Sequence, residues 1–492
     1  MSRIIIQNGN MCELDLPLKF AQKLYAEFAI RHPNAFYLRT RQRGMQNWDG
    51  KIHYVNKHGE FKIGLLPAVY EKCIEYGIKP KVVDMRQPLP KVSKVVTKIG
   101  EYKLRPEQEK AVKAVINNKV GKVPFQIGVL DYTVNAGKTL IMSSLYLSYK
   151  KQLKTLLITN DSDWLNQARD EFKKYLPGEP ITFVQGKVLN WSNFTIGMVQ
   201  SISRNMRFYQ NELAKVDMVL VDEADQAGSK QYQNVLTRLF NTRVRIGLSG
   251  TIYMSKLAKD KVKNMNLEVF FGKVLAEFKL KDSIKKGYST RTIVKMVPSK
   301  PWYGNWESEE VSYKEVYDDS ITFNKYARRM VYSRLKWNLK QGRYPALVVC
   351  KFIAHCENLC KYFKKKLGSK YNIACVHVDT PSKIRQQIMK DFREGKIDIL
   401  VSTTIIARGK NFPKLRYLLN AASMDSQEKS IQFLGRLVRT DSSKKKVYLD
   451  DLHYPGPYLN RHGKHRKQYY QKQELKVILL EKIWKNHPIH SL

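Results

Sequence analysis

The chain runs to 492 residues, 43% of them hydrophobic, which is material for two to four domains with apolar cores. Lys and Arg number 87 against 44 Asp and Glu, a formal net charge of +43, so the expected partner is a polyanion, either nucleic acid or an anionic membrane surface. No stretch of 18 apolar residues occurs and the opening MSRIIIQNGNMCELD lacks a signal-peptide pattern, so no spanning helix is expected and nucleic acid is favoured over membrane.

Residues 1–90 read as a small α+β unit. In LPLKFAQKLYAEFAIRHP, Phe20, Leu24 and Phe28 recur at helical spacing; KIHYV and EFKIGLL flank NKHG as a hairpin; VYEKCIEYG is a helix closed by Gly77. Arg39, Arg41, Arg43, Lys51, Lys57 and Lys62 crowd this unit, with Trp48 and Tyr54 among them. Cations give phosphate affinity and aromatic rings stack on unpaired bases. The same pattern also fits core aromatics under a solvated basic face, and Trp48 is open to both readings. A connector, RQPLPKVSKVVTKIGEYK, follows.

From about 91 to 290, short apolar runs (FQIGVL, KTLLITN, FTIGMVQS, DMVLVDEAD, RVRIGLSGT) alternate with helical patterns such as SDWLNQARDEFKKYL, the rhythm of a parallel sheet covered by helices. Arg105 and Gln108 in LRPEQ precede the first helix, and a glutamine amide can donate to and accept from an adenine edge. After FQIGVL comes DYTVNAGKTL. Thr133, Val134, Asn135, Ala136 and Gly137 lead to Lys138 and Thr139, where a phosphate cradle needs inward N–H groups, a lysine and a hydroxyl for Mg²⁺. Tyr132 stands where such loops usually begin with glycine, so on its own the stretch also fits a plain turn before a helix. The strand VLVD delivers Asp222, Glu223 and Asp225 at its C-terminal edge, where a doubly wound sheet places ligands. Asp222 suits a magnesium ion and Glu223 suits polarisation of an attacking water, though acid pairs in solvated loops are common. Gln200 and Ser201 in MVQS, and Ser249 and Thr251 in LSGT, end two further strands.

A second α/β rhythm fills 291–451, with strands PALVVCKF, NIACVHVD, DILVSTT, RYLLNAA and KKVYLDD and helices PSKIRQQIMKDFREG and SQEKSIQFLGRLVR. Gln432, Arg436 and Arg439 share one helical face, flanking a Phe433/Leu434/Leu437/Val438 stripe that packs inward; two guanidiniums so placed suit a triphosphate. The helix IAHCENLCKYFKKKL puts Cys356, Cys360 and Phe363 on one apolar stripe, so the six cysteines read as buried reduced thiols rather than metal ligands, even with His355 adjacent. From 452 the chain is irregular and basic, then helical over QELKVILLEKIWKN; this tail either binds DNA or packs as a terminal helix with solvated lysines.

The order RPEQ, AGKT, MVQS, DEAD, SGT, STT, ARGKN and QFLGRLVR, over roughly residues 100–450, resembles the superfamily 2 helicases and translocases. The leucine-led LRPEQ, SGT in place of SAT, and the bridge FGKVLAEFKLKDSIKKGYSTR are similar to DNA recombination and repair helicases rather than DEAD-box RNA helicases. MQNWDGKIHYVNKHGEFKIGLLPAVYEKCIEYG, with its core Asn47–Lys51, and VHVDTPSKIRQQIM resemble the UvsW recombination helicases of tailed bacteriophages. The likeness departs at ITNDSDW, which lacks the usual proline, and at ARGKNFP.

The resemblance implies an α/β fold: two RecA-like parallel-sheet motor domains, 91–290 and 291–451, with ATP and Mg²⁺ between them, a small N-terminal α+β DNA-binding domain, 1–90, and a basic extension, 452–492. It implies that Arg105, Gln108, the loop Thr133–Thr139 and Asn411 hold ATP, and that Thr139 and Asp222 hold the metal. Glu223 would activate water, with Lys138, Arg436, Arg439 and Gln432 completing catalysis; Asp225, Ser249 and Thr251 would couple nucleotide state to closure. Trp48, Lys51, Gln200, Ser201, Thr403 and Thr404 would touch DNA. The implied activity is ATP-dependent remodelling of branched, forked or recombining DNA by a monomer in the host cytoplasm, with phage recombination proteins as further partners. An RNA helicase, a translocase that separates no strands, and a catalytically dead DNA-binding scaffold are the rival readings. RNA preference, absence of strand release and absence of turnover would mark them in turn. Residues 1–90 are expected to be removable without loss of nucleotide binding.

Overall fold

The computed structural model describes residues 2–41, 45–160, 162–188, 191–250, 252, 258–299, 311–407, 412–425, 427–440 and 444–480. Thr251, Asn411 and Arg43 lie outside them, as does the side chain of Gln432.

The N-terminal region contains β1 (Arg3–Ile6), β2 (Met11–Asp15), α1 (Leu18–Glu27), β3 (Ala29–Arg31), α2 (Ala35–Arg41), β4 (Lys51–His53), β5 (Glu60–Lys62), α3 (Leu66–Glu75) and β6 (Lys81–Asp84). Its sheet has the order β5-β2-β1-β6, while β3 and β4 form a separate antiparallel ribbon. The expected NKHG turn is present: Asn56 Oδ1 accepts from the backbone of His58 and Glu60 at 2.9 and 2.8 Å. Its two arms, however, join different ladders, and Val55 bridges Phe61 only singly. Gly77 closes α3 as expected, at φ 77°.

The first motor contains α4 (Pro106–Ile116), β7 (Ile127–Tyr132), α5 (Lys138–Ser148), β8 (Thr155–Thr159), α6 (Ser162–Tyr175), β9 (Ile181–Val184), β10 (Phe194–Met198), α7 (Val199–Arg204), β11 (Met218–Asp222), β12 (Val244–Ser249), α8 (Ala258–Phe271) and β13 (Val274–Phe278). Among the described residues its sheet has the order β9-β10-β8-β11-β12-β7-β13, every pair parallel. The central strands β7, β8, β11 and β12 are buried along their whole length, which is why they read as continuous apolar runs rather than alternating ones.

The second motor contains β14 (Arg291–Pro298), α9 (Lys325–Lys340), β15 (Ala346–Cys350), α10 (Ile353–Leu367), β16 (Ile373–Val376), α11 (Ser382–Glu394), β17 (Ile399–Thr403), β18 (Tyr417–Asn420), α12 (Gln427–Leu437), β19 (Lys446–His453), α13 (Leu459–Lys472) and β20 (Lys476–Leu479). Its parallel sheet has the order β16-β17-β15-β18-β19-β14-β20. The cysteines of α10 are buried, Cys356 Sγ lying 3.4 Å from Cys375 Sγ. His355 is buried too, hydrogen-bonded to the Tyr317 hydroxyl at 2.9 Å, and desolvation drives its pKa down to about 3, so the ring is neutral.

The chain separates into two units, Met1–Phe278 and Lys279–Leu492. The N-terminal region shares one continuous apolar core with the first motor, from Ile4 and Ile6 through Leu66 and Val69 to Phe270 and Phe271. Arg245, fully buried on β12, donates to Gly9 O and Asn10 Oδ1, both at 2.7 Å. Asn10 Nδ2 donates to Thr237 O at 3.0 Å, and the Tyr54 hydroxyl donates to Asn266 Oδ1 at 3.0 Å. Tyr54 is thus a packing residue. The tail differs from the reading of the sequence in its secondary structure. Residues 459–472 are helical and 476–479 form a strand, β20, in register with β14 (Ile293 opposite Lys476). The expected helix over QELKVILLEKIWKN is replaced by that strand as far as it is described, because Val477 and Leu479 continue an open sheet edge beside β14.

Candidate nucleotide site and nucleic-acid interface

Strands β11, β12 and β7 are consecutive neighbours in the first sheet, and their C-terminal ends deliver the acid motif, the SGT turn and the AGKT loop side by side. Tyr132 explains the missing loop glycine. It is the last residue of β7, its ring is buried, and its hydroxyl donates to Glu107 O on α4 at 2.7 Å. The loop then turns on Asn135 (φ 63°) and Gly137 (φ 72°), both left-handed, before α5 begins at Lys138. Asparagine tolerates that region and glycine enters it freely. Gly137 is exposed and Lys138 and Thr139 are half-buried, so the N-terminus of α5 opens toward solvent. Thr133 is buried and its N–H donates to Phe278 O at 3.0 Å; Ala136 is buried and Val134 half-buried.

Arg105 and Gln108 reach this loop. The Gln108 Oε1 accepts from Arg105 N at 2.8 Å, its Nε2 donates to Ala136 O at 2.8 Å, and Arg105 Nη2 donates to Asn135 O at 3.0 Å. Both ends of the Gln108 amide therefore grip protein, bracing the AGKT loop from α4. Gly250 closes the other side: a Cβ there would lie 2.9 Å from Thr133 Cα and 3.2 Å from Tyr132 O, so the SGT turn passes too close to the loop for any side chain.

Asp222 and Asp225 are buried, and Glu223 between them is half-buried at φ 53°. A glutamate held left-handed is strained, and such strain persists where surrounding structure over-determines it. Ser249 Oγ donates to Asp225 Oδ1 at 2.7 Å in a buried bond that ties the SGT turn to the acid motif. Gln200 Nε2 donates to Asn160 O at 3.1 Å, and the Asn160 amide bonds Gln226 Oε1. This chain joins MVQS, ITND and the residue after DEAD. Asn160 and Gln226 were not singled out in the sequence, where single amides carry no pattern. Ser201 sits half-buried in the first turn of α7.

In the second unit, Phe433, Leu434, Leu437 and Val438 are buried while Arg436 and Arg439 remain half-buried, so the apolar stripe of α12 packs inward and its arginine face does not. Thr290 fixes the helix end: its N–H donates to Val438 O at 2.8 Å and its hydroxyl to Arg439 O at 3.2 Å. Lys444, buried, donates to Leu437 O and Leu415 O at 3.1 Å each, a cation on a helix C-terminus that the sequence hid within SSKKK. The α13 helix braces the approach to α12. Ser423 O, at a strained φ of 44°, accepts from His462 Nδ1 at 3.1 Å; Met424 O accepts from Arg466 Nη1 at 2.9 Å; Asp425 Oδ1 pairs with His465 Nδ1 at 2.8 Å. Arg466 is fully buried on Asp451; burial, the largest single influence, lowers its pKa, but the charge and hydrogen bond of Asp451 together with Tyr470 and Tyr313 leave it raised. One face of the basic tail is thus packed, while Arg461 and Lys464 face solvent. Thr403 ends β17 and is buried, and Thr404 is half-buried beside it.

In the N-terminal region the Trp48 indole N–H donates to Lys51 O at 2.9 Å, and its ring meets His32 edge-on at 5.7 Å. Lys51 itself is exposed.

Residues 101–254 match the family "Type III restriction enzyme, res subunit" and residues 328–441 match "Helicase conserved C-terminal domain". The motor domains are those of a superfamily 2 helicase. Helicases of this kind hydrolyse ATP, and the acid motif, AGKT loop and arginine helix of this helicase fall within the two matched segments. A provisionally named helicase of Sulfolobus islandicus filamentous virus is 22% identical over 382 residues, covering 72% of this chain and 65% of its own, so the chain spans less than two thirds of that relative. The fold is similar to the restriction-modification enzyme LlaBIII bound to DNA (TM-score 0.56, 13% identity, 83% of this chain and 34% of that one). T4 UvsW aligns over 97% of this chain and 98% of its own, at 19% identity and a TM-score of 0.44, too loose a likeness to carry argument beyond the resemblance itself. Other fold likenesses include RNA-bound helicases. Among the described residues, no helix is long and apolar enough to cross a membrane.

Proposed function

We propose that this helicase is a DNA-dependent ATPase that remodels branched or forked DNA. The observation that supports it best is the juxtaposition of the AGKT loop, the SGT turn and the acid motif at the ends of three neighbouring parallel strands, with Ser249 bonded to Asp225. ATP is the proposed substrate. Lys138 meets its β/γ-phosphates, and the loop N–H groups and the start of α5 offer partial positive charge to the same oxygens. Thr139 and Asp222 are the residues that would hold a magnesium ion, which would neutralise charge on the transferring phosphoryl group. The donor set fits: a helix-terminal hydroxyl and a buried carboxylate are hard oxygen ligands. Glu223 orients and deprotonates the attacking water. Arg436 and Arg439 stabilise charge on the phosphoryl group, and Gln432 and Asn411 assist, as the resemblance implies.

Gln108 has a double part in this reading. Its amide holds the phosphate loop in the structure described; reading an adenine edge would require that amide to leave Ala136 O. Base recognition and loop release are then one event.

The choice of DNA over RNA rests on LRPEQ, SGT and the Asn47–Lys51 core. The test is ATPase rate with single-stranded, blunt, forked and RNA cofactors. Strongest stimulation by forked DNA is expected; stimulation by RNA alone would replace this reading with an RNA helicase, and ATPase without strand release would make it a translocase.

A further inference from the structure

Lys295 lies in the middle of β14, half-buried within the second sheet. Its neighbours in register are Asp450 on β19 and Ile478 on β20. Its ammonium stands 4.8 Å from the ring centroid of Trp337 on α9. Two guanidiniums meet the same indole, Arg334 at 5.2 Å and Arg343 at 4.8 Å. Trp337 is nevertheless 40% exposed, so the cluster reaches the surface. One acid serves these three cations. Asp450 Oδ2 accepts from Arg334 Nε at 2.9 Å, from Asn338 Nδ2 at 3.2 Å and from the Tyr417 hydroxyl at 3.0 Å. Arg334 is buried and takes up that charge. Arg343 is held without a carboxylate: its Nη1 donates to Asn338 Oδ1 at 2.9 Å, and its guanidinium lies 3.5 Å from the Tyr448 ring centroid. Among the described residues no carboxylate forms an ion pair with Lys295 or Arg343. Burial, the largest influence, lowers the Lys295 pKa; Asp450 opposes this and the two arginines add to it. The cluster is therefore a fixed, partly desolvated excess of positive charge, unlike a solvated basic face.

We propose that this cluster is a docking site for an acidic peptide segment of a partner protein. One carboxylate takes the planar fork of Arg343, a second takes the Lys295 ammonium, and an apolar side chain between them lies on the exposed part of Trp337. Charge complementarity carries the choice of partner. A nucleic-acid strand suits the cluster less. Its phosphates recur along a line and call for cations strung out in solvent. These three cations instead converge on one ring, beside the half-buried Ile293 and Ile478. The inference stands whether the helicase works on DNA or on RNA.

The test titrates the full chain with a fluorescent acidic peptide carrying one phenylalanine, with the same peptide bearing amides in place of its acids, and with oligothymidylate, all read by anisotropy. Wild type should bind the acidic peptide and ignore the amidated one. Lys295→Glu supplies a carboxylate from within the chain. It should lower acidic-peptide affinity at least about 10-fold and raise the thermal midpoint, because the new carboxylate pairs with Arg343. Lys365→Glu, on the exposed side of α10, makes the same change in net charge and should leave affinity within about twofold. Arg343→Lys should lose part of the affinity, since a point charge lacks the fork. Equal losses in Lys295→Glu and Lys365→Glu would reduce binding to net charge and overturn the site. A lowered midpoint in Lys295→Glu would do the same, since the cations would then not be in excess. So would tight binding of the amidated peptide, or competition by free succinate as strong as that by the peptide. An equal or larger loss of oligothymidylate affinity in Lys295→Glu would make the cluster a nucleic-acid contact instead.

Discussion

At Lys138 a cation stands at the first turn of a helix whose preceding loop is held open by two left-handed residues. In a chain of charge +43 its removal scarcely alters the field that a nucleic acid meets, but it removes the proposed partner of the β/γ-phosphates. Lys138→Ala should abolish turnover and leave DNA affinity within about twofold, checked by ATPase assay and anisotropy on one preparation. Glu223→Gln keeps shape and loses the base, so it should bind ATP normally and hydrolyse it about 10²- to 10⁴-fold more slowly; near-normal hydrolysis would give the acid another role. Gly250→Ala should weaken ATP binding without unfolding the domain, because the new methyl would push on Thr133 Cα and Tyr132 O rather than on core side chains. A variant with wild-type ATP affinity would mean the loop yields freely. At this scale the sequence was legible in part. Ordered motifs gave residues that meet the AGKT loop, Arg105 and Gln108, and the pliancy of asparagine foretold the left-handed turn at Asn135. The Asn160–Gln226 link and the Lys444 cap were illegible, since each depends on which carbonyl or amide a distant segment brings near.

Among the elements, helix α12 carries the sharpest expectation. Its apolar stripe fixes the rotation, Thr290 and Lys444 fix its C-terminal end, and α13 fixes the turn before it. Arg436 is thus presented by an anchored frame. Arg436→Ala should cut kcat by about 10³-fold with much less change in ATP affinity, and Lys should rescue it only partly because a point charge lacks the planar fork. DNA stimulation equal to wild type in Arg436→Ala would make α12 a structural helix. Helical and strand periodicity located most elements, α10, α11 and the five strand runs of the second motor among them. The tail was misread because a short apolar run, KVIL, fits helix or strand equally; only the open edge beside β14 decides.

For the whole molecule, the chief change concerns the N-terminal region. The sequence showed it as a detachable module because a Pro- and Lys-bearing connector follows it. Its apolar residues, however, pack into the first motor, and Arg245 is buried against its Gly9–Asn10 turn. Nε and Nη1 of Arg245 have no hydrogen-bond partner among the described residues, and burial followed by the like charge of Arg86 lowers its pKa to about 9. Without residues 1–90 the apolar residues of the first motor that share this core would face water. Deleting residues 1–90 should therefore yield an insoluble or unfolded first motor rather than an active core. Arg245→Met should leave two acceptors unsatisfied, at about 1–3 kcal/mol each, offset in part by relief of the buried charge. Faster proteolysis within residues 1–90, with ATP binding retained, is the expected readout; a soluble, ATP-binding deletion would show the core to be divisible after all.

The Arg245 bond to Gly9 also sets a clock. Its two ends lie 236 residues apart in the chain. At about 5–20 residues per second of synthesis, roughly 12–47 s separate the emergence of the turn from that of the arginine it covers. During that wait the part of the N-terminal core that β12 and α8 complete stays open. Production at lower temperature or with abundant holdase chaperones should raise the soluble yield, and a ribosome-stalled chain ending before β12 should be the species those chaperones retain.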